Sequence, residues 1–181
     1  MNTQARVLIT KLCHRNCPNC CSKYTSIVKD AIESNNTKDF KKYDVVMITG
    51  GEPMLFPDKV ITFTRALKKQ NPNVKVFLYT ALYTKRLREV MEVVDGVHFT
   101  IHAEATKQDI EDFQLFQGIA NTFKLGGYTK SFRLYCDPNC LIPFTLYPWL
   151  WKRMEIKPWI MEGDCKLPDN EDLYVLNDNF V

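Results

Sequence analysis

Short runs of β-branched and apolar residues alternate along the chain with segments whose apolar positions recur every three to four residues, the pattern of buried strands separated by amphipathic helices. Arg6–Thr10 and Val45–Thr49 read as strands, the first ending at a group of cysteines and the second at Gly50-Gly51. Val74–Thr80, Gly96–His102 and Ser131–Cys136 complete a set of five, and a sixth is expected near Lys157–Met161. After Pro57-Asp58, Val60, Phe63 and Leu67 keep helical spacing until Asn71-Pro72 stops it. Thr84 opens a second helix with Leu87, Val90, Met91 and Val94 on one face. Thr106 with Asp109 forms a capping-box start for a third, carrying Ile110, Phe113, Phe116, Ile119 and Phe123. The order βαβαβαβαβ predicts an α/β fold with right-handed crossovers and a mainly parallel sheet, either open or partly closed into a barrel. The 181 residues suit one domain, whereas a complete eightfold barrel takes about 250. Residues 1–142 are expected to form the core. Residues 143–181, with Pro, Trp and Tyr crowded together and weak periodicity, read as an extension of the same domain that packs on or caps it.

Composition narrows the class. A hydrophobic share of 45% and a charged share of 25% belong to an ordinary globular protein, which excludes disorder and coiled coil for the whole chain. The net charge of +3 is too small to argue for nucleic acid or an anionic membrane. No basic start leads into an apolar run, and the greasiest stretch, Leu141–Leu150, is broken by Pro143 and Pro148, far below the ~20 residues that span a bilayer. The expected location is therefore the cytoplasm, with no membrane partner.

In parallel sheets ligands gather beyond the carboxyl ends of the strands. That rule selects the loops at Thr10–Cys21, Thr49–Pro53, Thr80–Tyr83, His102–Thr106 and Cys136–Cys140, which hold the chemically unusual residues. Seven cysteines, an odd number with no export signal, point to metal ligation or catalysis rather than disulfides. Cys13, Cys17 and Cys20 have the spacing C-x3-C-x2-C. Three thiolates so placed can hold three corners of a cubane iron–sulfur cluster and leave the fourth iron open. Structural zinc needs a fourth ligand, for which Cys21 or His14 stands nearby; in that reading the chain is a non-catalytic zinc module on Cys13, Cys17, Cys20 and Cys21. Gly50-Gly51-Glu52-Pro53 closes the second strand. Its glycines permit close backbone approach to a ligand, and the Glu52 carboxylate suits an ammonium group; alone, such a turn is ordinarily just a strand ending.

Together, in this order and on these strands, the cysteine loop and the GGEP turn resemble the radical S-adenosylmethionine (radical SAM) superfamily, over roughly three quarters of the chain. The resemblance implies a partial (β/α)6-like barrel, a [4Fe–4S] cluster on Cys13, Cys17 and Cys20, and SAM at the open iron, with Gly50, Gly51, Glu52 and Pro53 holding its methionyl ammonium. Thr80 would lie near the ribose, and Thr100 or His102 at the end of the fourth strand would face SAM. An external one-electron reductant of flavodoxin or ferredoxin type is implied, and cleavage of SAM to a 5′-deoxyadenosyl radical for hydrogen abstraction. One departure is Asn19 before the third cysteine, where many members carry an aromatic residue on the adenine; Tyr24, Tyr135 or the Asn19 backbone would have to serve. The stretch Phe77–Leu87 with Val94–Val97 is similar to the activating enzymes of anaerobic ribonucleotide reductases, which implies a glycyl-radical protein as partner. The alternative is a small-molecule enzyme like those acting on pterins and deazapurines, which implies a basic, carboxylate-binding site and often magnesium, with Arg133, Lys107 and Asp137 as the candidates. Cys136, Cys140 and Cys165 are expected to be ordinary reduced thiols rather than a second metal site.

Overall fold

The computed structural model describes residues 3–17, 20, 22, 25–158 and 166–177. Among the described residues eight strands form one sheet: β1 (Gln4–Leu8), β2 (Ile32–Ser34), β3 (Val45–Thr49), β4 (Lys75–Thr80), β5 (Gly96–Ile101), β6 (Ser131–Cys136), β7 (Arg153–Ile156) and β8 (Glu171–Leu176). Every pairing between them is parallel, in the spatial order β2-β8-β1-β3-β4-β5-β6-β7. The helices are a single turn, α1 (Thr25–Val28), followed by α2 (Pro57–Gln70), α3 (Leu87–Val93) and α4 (Lys107–Leu125). The α/β class and the parallel sheet are thus as the periodicity predicts.

The helices follow from local chemistry. Pro57 fills the first position of α2, where its missing N–H is no loss, and the backbone leaves the helix at Asn71 before Pro72. The α4 capping box forms in full: the Thr106 hydroxyl accepts from the Asp109 amide, and the Asp109 carboxylate accepts from the Thr106 amide. Val60, Phe63 and Leu67 of α2, Leu87, Val90 and Met91 of α3, and Ile110, Phe113 and Phe116 of α4 pack in one core with Ala5, Val7, Val46, Ile48, Val76, Leu78, Val97, Phe99, Phe132 and Leu134 from alternate strand positions. Helices α2, α3 and α4 therefore cover one face of the sheet. The intervening positions, among them Arg6, Thr49, Tyr79, His98, Arg133 and Tyr135, belong to the opposite face and lie outside that core.

Three features differ from the sequence expectation. Among the described residues no long helix separates β1 from β3; one turn of α1, strand β2 and a 3-10 turn at Thr37–Phe40 lie in that interval. Strand β8, unforeseen in the tail, lies between β1 and β2. Strand β7 forms at Arg153–Ile156 and stops before Pro158, which cannot donate to a ladder; residues 159–161 of the strand expected near 157–161 lie outside the described residues. Ahead of β7, residues 144–151 run along α4. Gln117, fully buried there, accepts from the Tyr147 amide and the Trp151 indole and donates to the Thr145 carbonyl. Among the described residues no helix is long and apolar enough to cross a membrane.

Candidate functional site

The loops at the carboxyl ends of β1 and β3 are joined backbone to backbone. Ile9 N donates to Thr49 O, Gly51 N to Thr10 O at 2.7 Å and Glu52 N to Leu12 O at 2.8 Å, so the GGEP turn lies directly against the root of the cysteine loop. The two glycines are needed for that contact. Gly50 has φ 131°, a conformation that side chains avoid, and a Cβ on Gly51 would stand 2.0 Å from Leu12 O. Sequence reasoning assigned the paired glycines to approach of a ligand; the structure adds that they let two chain segments meet. Ser22, just past the third cysteine, donates to Gly50 O at 2.9 Å and ties the far end of the loop to the same turn.

Glu52 is 3% exposed, with its carboxylate turned inward. Oε1 accepts from Met54 N at 2.9 Å and from the Thr80 hydroxyl at 2.6 Å, while Oε2 accepts from Ala81 N at 3.0 Å. Burial pushes Glu52 above the ordinary carboxylate range, and those three hydrogen bonds pull it back. A carboxylate has about four acceptor positions, so one on Oε2 remains for a further donor. Thr80, expected near a ribose, spends its hydroxyl on Glu52 and also receives Leu82 N at 3.0 Å. The pair locks the ends of β3 and β4 together.

Cys13 is exposed, and Cys17 and Cys20 are half-buried; all three are free thiols. Arg15 N points at Cys13 Sγ, 3.4 Å away. Burial pushes the Cys13 thiol up. Cys17 is pushed up to about 12 by burial and then by a hydrogen bond to Glu104. Cys20 raises both neighbours by charge, which fits three thiols facing a common region. Cys13 and Cys17 therefore hold their protons more firmly than free thiols until a cation replaces them. The loop is also fastened to α4: the Arg15 guanidinium pairs with Asp109, the capping residue of that helix, and both side chains are largely buried.

His102 comes to the cysteine loop as well. Its ring, Cys17 Sγ and a Glu104 carboxylate oxygen lie within 4.8 Å of one another. Burial lowers the His102 pKa, and the Glu104 charge opposes that. Glu104 was not among the residues singled out from the sequence, although it lies in the β5 loop that the strand-end rule selects. Of the remaining cysteines, Cys136 lies in the core, its thiol directed at Asp137 O at 3.5 Å, and Cys140 is half-buried against the core with its thiol 3.9 Å from Ile142 O. Burial raises Cys136 to about 11. Asn19, Cys21, Tyr24 and Cys165 lie outside the described residues, so the adenine contact and the fourth ligands expected there lie outside them too. Tyr135 is buried, and its hydroxyl donates to Lys157 O at 2.6 Å. On the face opposite α2–α4, next to Thr49, a cavity of about 280 Å³ is lined by Arg6, Leu8, Ser22, Ile27, Lys166 and Leu173 among others.

The all-parallel α/β sheet carries three unpaired thiols on the loop after its first strand, held against a Gly-Gly-Glu-Pro turn, a donor set that suits an iron–sulfur cluster. Residues 4–123, well over half of the chain, match the family model for the 4Fe-4S single cluster domain, and the chain belongs to that radical SAM-associated family. No match is found among curated proteins.

Proposed function

We propose that the protein is a radical SAM enzyme that holds a [4Fe–4S] cluster on Cys13, Cys17 and Cys20 and binds SAM beside it, in the mouth of a sheet curled as a partial barrel. The observation that carries this reading is the backbone contact between Thr10–Leu12 and Gly50–Glu52, which places a three-thiolate loop beside the turn suited to an amino-acid head group. The donor set fits the cluster: three thiols, none in a disulfide, on one loop anchored at β1, at Ser22 and at Asp109. When bound, the cluster supplies the low-potential electron that cleaves SAM to methionine and a 5′-deoxyadenosyl radical. Glu52 has one acceptor position left for the methionyl ammonium, and the carbonyls of the same turn offer more. His102 and Glu104 stand beside Cys17, where they orient the loop and would accept hydrogen bonds from a ligand bound there. A flavodoxin or ferredoxin would supply the electron, and a cytoplasmic setting suits reduced thiols.

Two hydrogen donors are proposed. A glycyl-radical protein rests on the likeness of Phe77–Leu87 to activating enzymes; a small molecule is favoured by a structural observation, the polar face of the sheet around Arg133. A zinc module keeps one geometric support, the Cys17–His102–Glu104 group. Electron paramagnetic resonance of anaerobically reduced protein tests the reading: a cluster signal that changes on adding SAM is expected, and a reduced cluster indifferent to SAM would refute it.

A further inference from the structure

The face of the sheet opposite α2–α4 carries a cross-strand row that the mechanism above leaves unused. Tyr79 on β4 is in register with His98 on β5, His98 with Arg133 on β6, and Arg133 with Arg153 on β7. Residues in register on parallel strands share a face, so these four side chains stand side by side. Arg133 is three residues from the carboxyl end of β6, about 10 Å at the rise of a strand. It therefore lies below the strand ends that carry the cysteine and GGEP loops.

The cations on this face are not equivalent. Arg6 is matched by Glu171, with Nε 2.9 Å and a terminal nitrogen 3.3 Å from its carboxylate. Arg153 and Lys157 are both matched by Glu155, at 2.9 Å each. Among the described residues Arg133 has no carboxylate partner, and its Nε is buried with no hydrogen-bond acceptor. Its guanidinium lies 5.9 Å from the centre of the Phe77 ring, which supports the plane of the group without using its N–H donors. His98 beside it also has a buried, unpartnered atom, Nδ1, while its ring rests on Tyr79 at 4.6 Å. Two adjacent buried nitrogens without partners are costly to keep, and a ligand that satisfies them removes that cost.

We infer that Arg133 and His98 form an oxyanion subsite on this face, which binds a phosphate or carboxylate group of a small-molecule substrate. A guanidinium fork is matched to two oxygens of either group, and the imidazole offers a further hydrogen bond to the same oxygens or to the atom that bears them. The inference rests on the radical SAM reading only in calling the ligand a substrate; the subsite stands on its own geometry. It bears on the choice between the two proposed hydrogen donors, because the glycine of a glycyl-radical protein itself carries no oxyanion.

The test uses anaerobically purified wild-type protein and two probes, inorganic pyrophosphate for the phosphate source and succinate for the carboxylate source. Titration calorimetry is expected to show binding of one of them, weakened about tenfold or more in Arg133→Gln. Lys69→Gln, an exposed site that removes the same charge, leaves that affinity unchanged. Because Arg133→Gln could fold poorly, Arg133 is also followed in the wild-type protein by phenylglyoxal labelling and mass spectrometry, where the bound probe should protect it. Absence of binding by both probes overturns the subsite, as does equal affinity in Arg133→Gln, an equal loss in Lys69→Gln, or labelling indifferent to the probe. Iron is measured on the same samples. Iron present without oxyanion binding refutes the subsite alone, and absent iron refutes the cluster reading while the Arg133 result stands.

Discussion

Glu52→Ala should unfold the site before it affects any ligand. The carboxylate accepts from Met54 N, Ala81 N and the Thr80 hydroxyl, and its removal leaves those donors facing a void. Thr80 recovers at little cost, since its oxygen already stands 3.2 Å from Leu82 O. The two amides have no such substitute, and each costs about 1 to 3 kcal/mol when buried unpaired. Relief of burying a carboxylate that its surroundings already push toward protonation offsets part of this. The expected loss is about 2 to 4 kcal/mol, large for one substitution. Urea unfolding followed by circular dichroism at neutral pH reads it, with an unchanged denaturant slope. Glu52→Gln keeps the shape but turns an amide group toward Ala81 N or Thr80, and should lose about half as much. A loss below about 0.5 kcal/mol in Glu52→Ala would mean that Glu52 faces solvent as an ordinary turn residue, and the reasoning would fail. The pH dependence has a definite sign. A carboxyl raised on folding adds stability below its ordinary pKa and loses it as pH rises through the raised value, so the gap between wild type and Glu52→Gln should narrow as pH rises from about 4.5.

Other outcomes follow from the same geometry. Gly51→Ala puts a Cβ 2.0 Å from Leu12 O, so the root of the cysteine loop must move; iron per chain after anaerobic reconstitution should fall well below wild type, and full iron would show that the contact is dispensable. His98 is held down to about 4, chiefly by burial with Arg133, Arg6 and Arg153 adding to it and Glu155 opposing. Its contribution to stability is complete above its ordinary 6.5 and is lost as pH falls toward 4, by up to about 3 kcal/mol. His98→Gln should flatten that part of the acid limb in thermal melts, and an unchanged limb would contradict it. Arg15→Ala should lower cluster yield and stability by about 1 to 3 kcal/mol through the buried pair with Asp109; Asp109→Asn should show part of the same loss, and wild-type iron content in both would remove Arg15 from the positioning of the loop.

Strands β3 to β6 and helices α2 to α4 were legible because each carries its own periodicity and punctuation: Val45–Thr49 ends at a glycine pair, and Thr106 with Asp109 builds a complete capping box. Strand β2 was not, since Ile32–Ser34 has three residues and only Ser34 is buried. Strand β8 was missed because its membership depends on pairing with β1, more than 160 residues away, and its acidic start at Glu171 is explained only by Arg6. At the site, the cysteine spacing and the GGEP turn pointed to two loops that the structure brings together. The inward turn of Glu52 onto Thr80, the fastening of Arg15 to Asp109 and the approach of Glu104 to Cys17 are tertiary contacts without local sequence signals. Arg133 had no distinguishing spacing in the sequence; its isolation among paired cations is visible only across strands.

The central claim is reductive cleavage of SAM at a cluster on the C-x3-C-x2-C loop, and the most direct measurement is 5′-deoxyadenosine formed from SAM by anaerobic protein with a strong one-electron reductant. The account predicts product from wild-type protein carrying about four iron atoms per chain, and none from Cys13→Ala, Cys17→Ala or Cys20→Ala. Deoxyadenosine at the wild-type rate from Cys17→Ala, or a colourless wild-type protein with one zinc and no product, would contradict it.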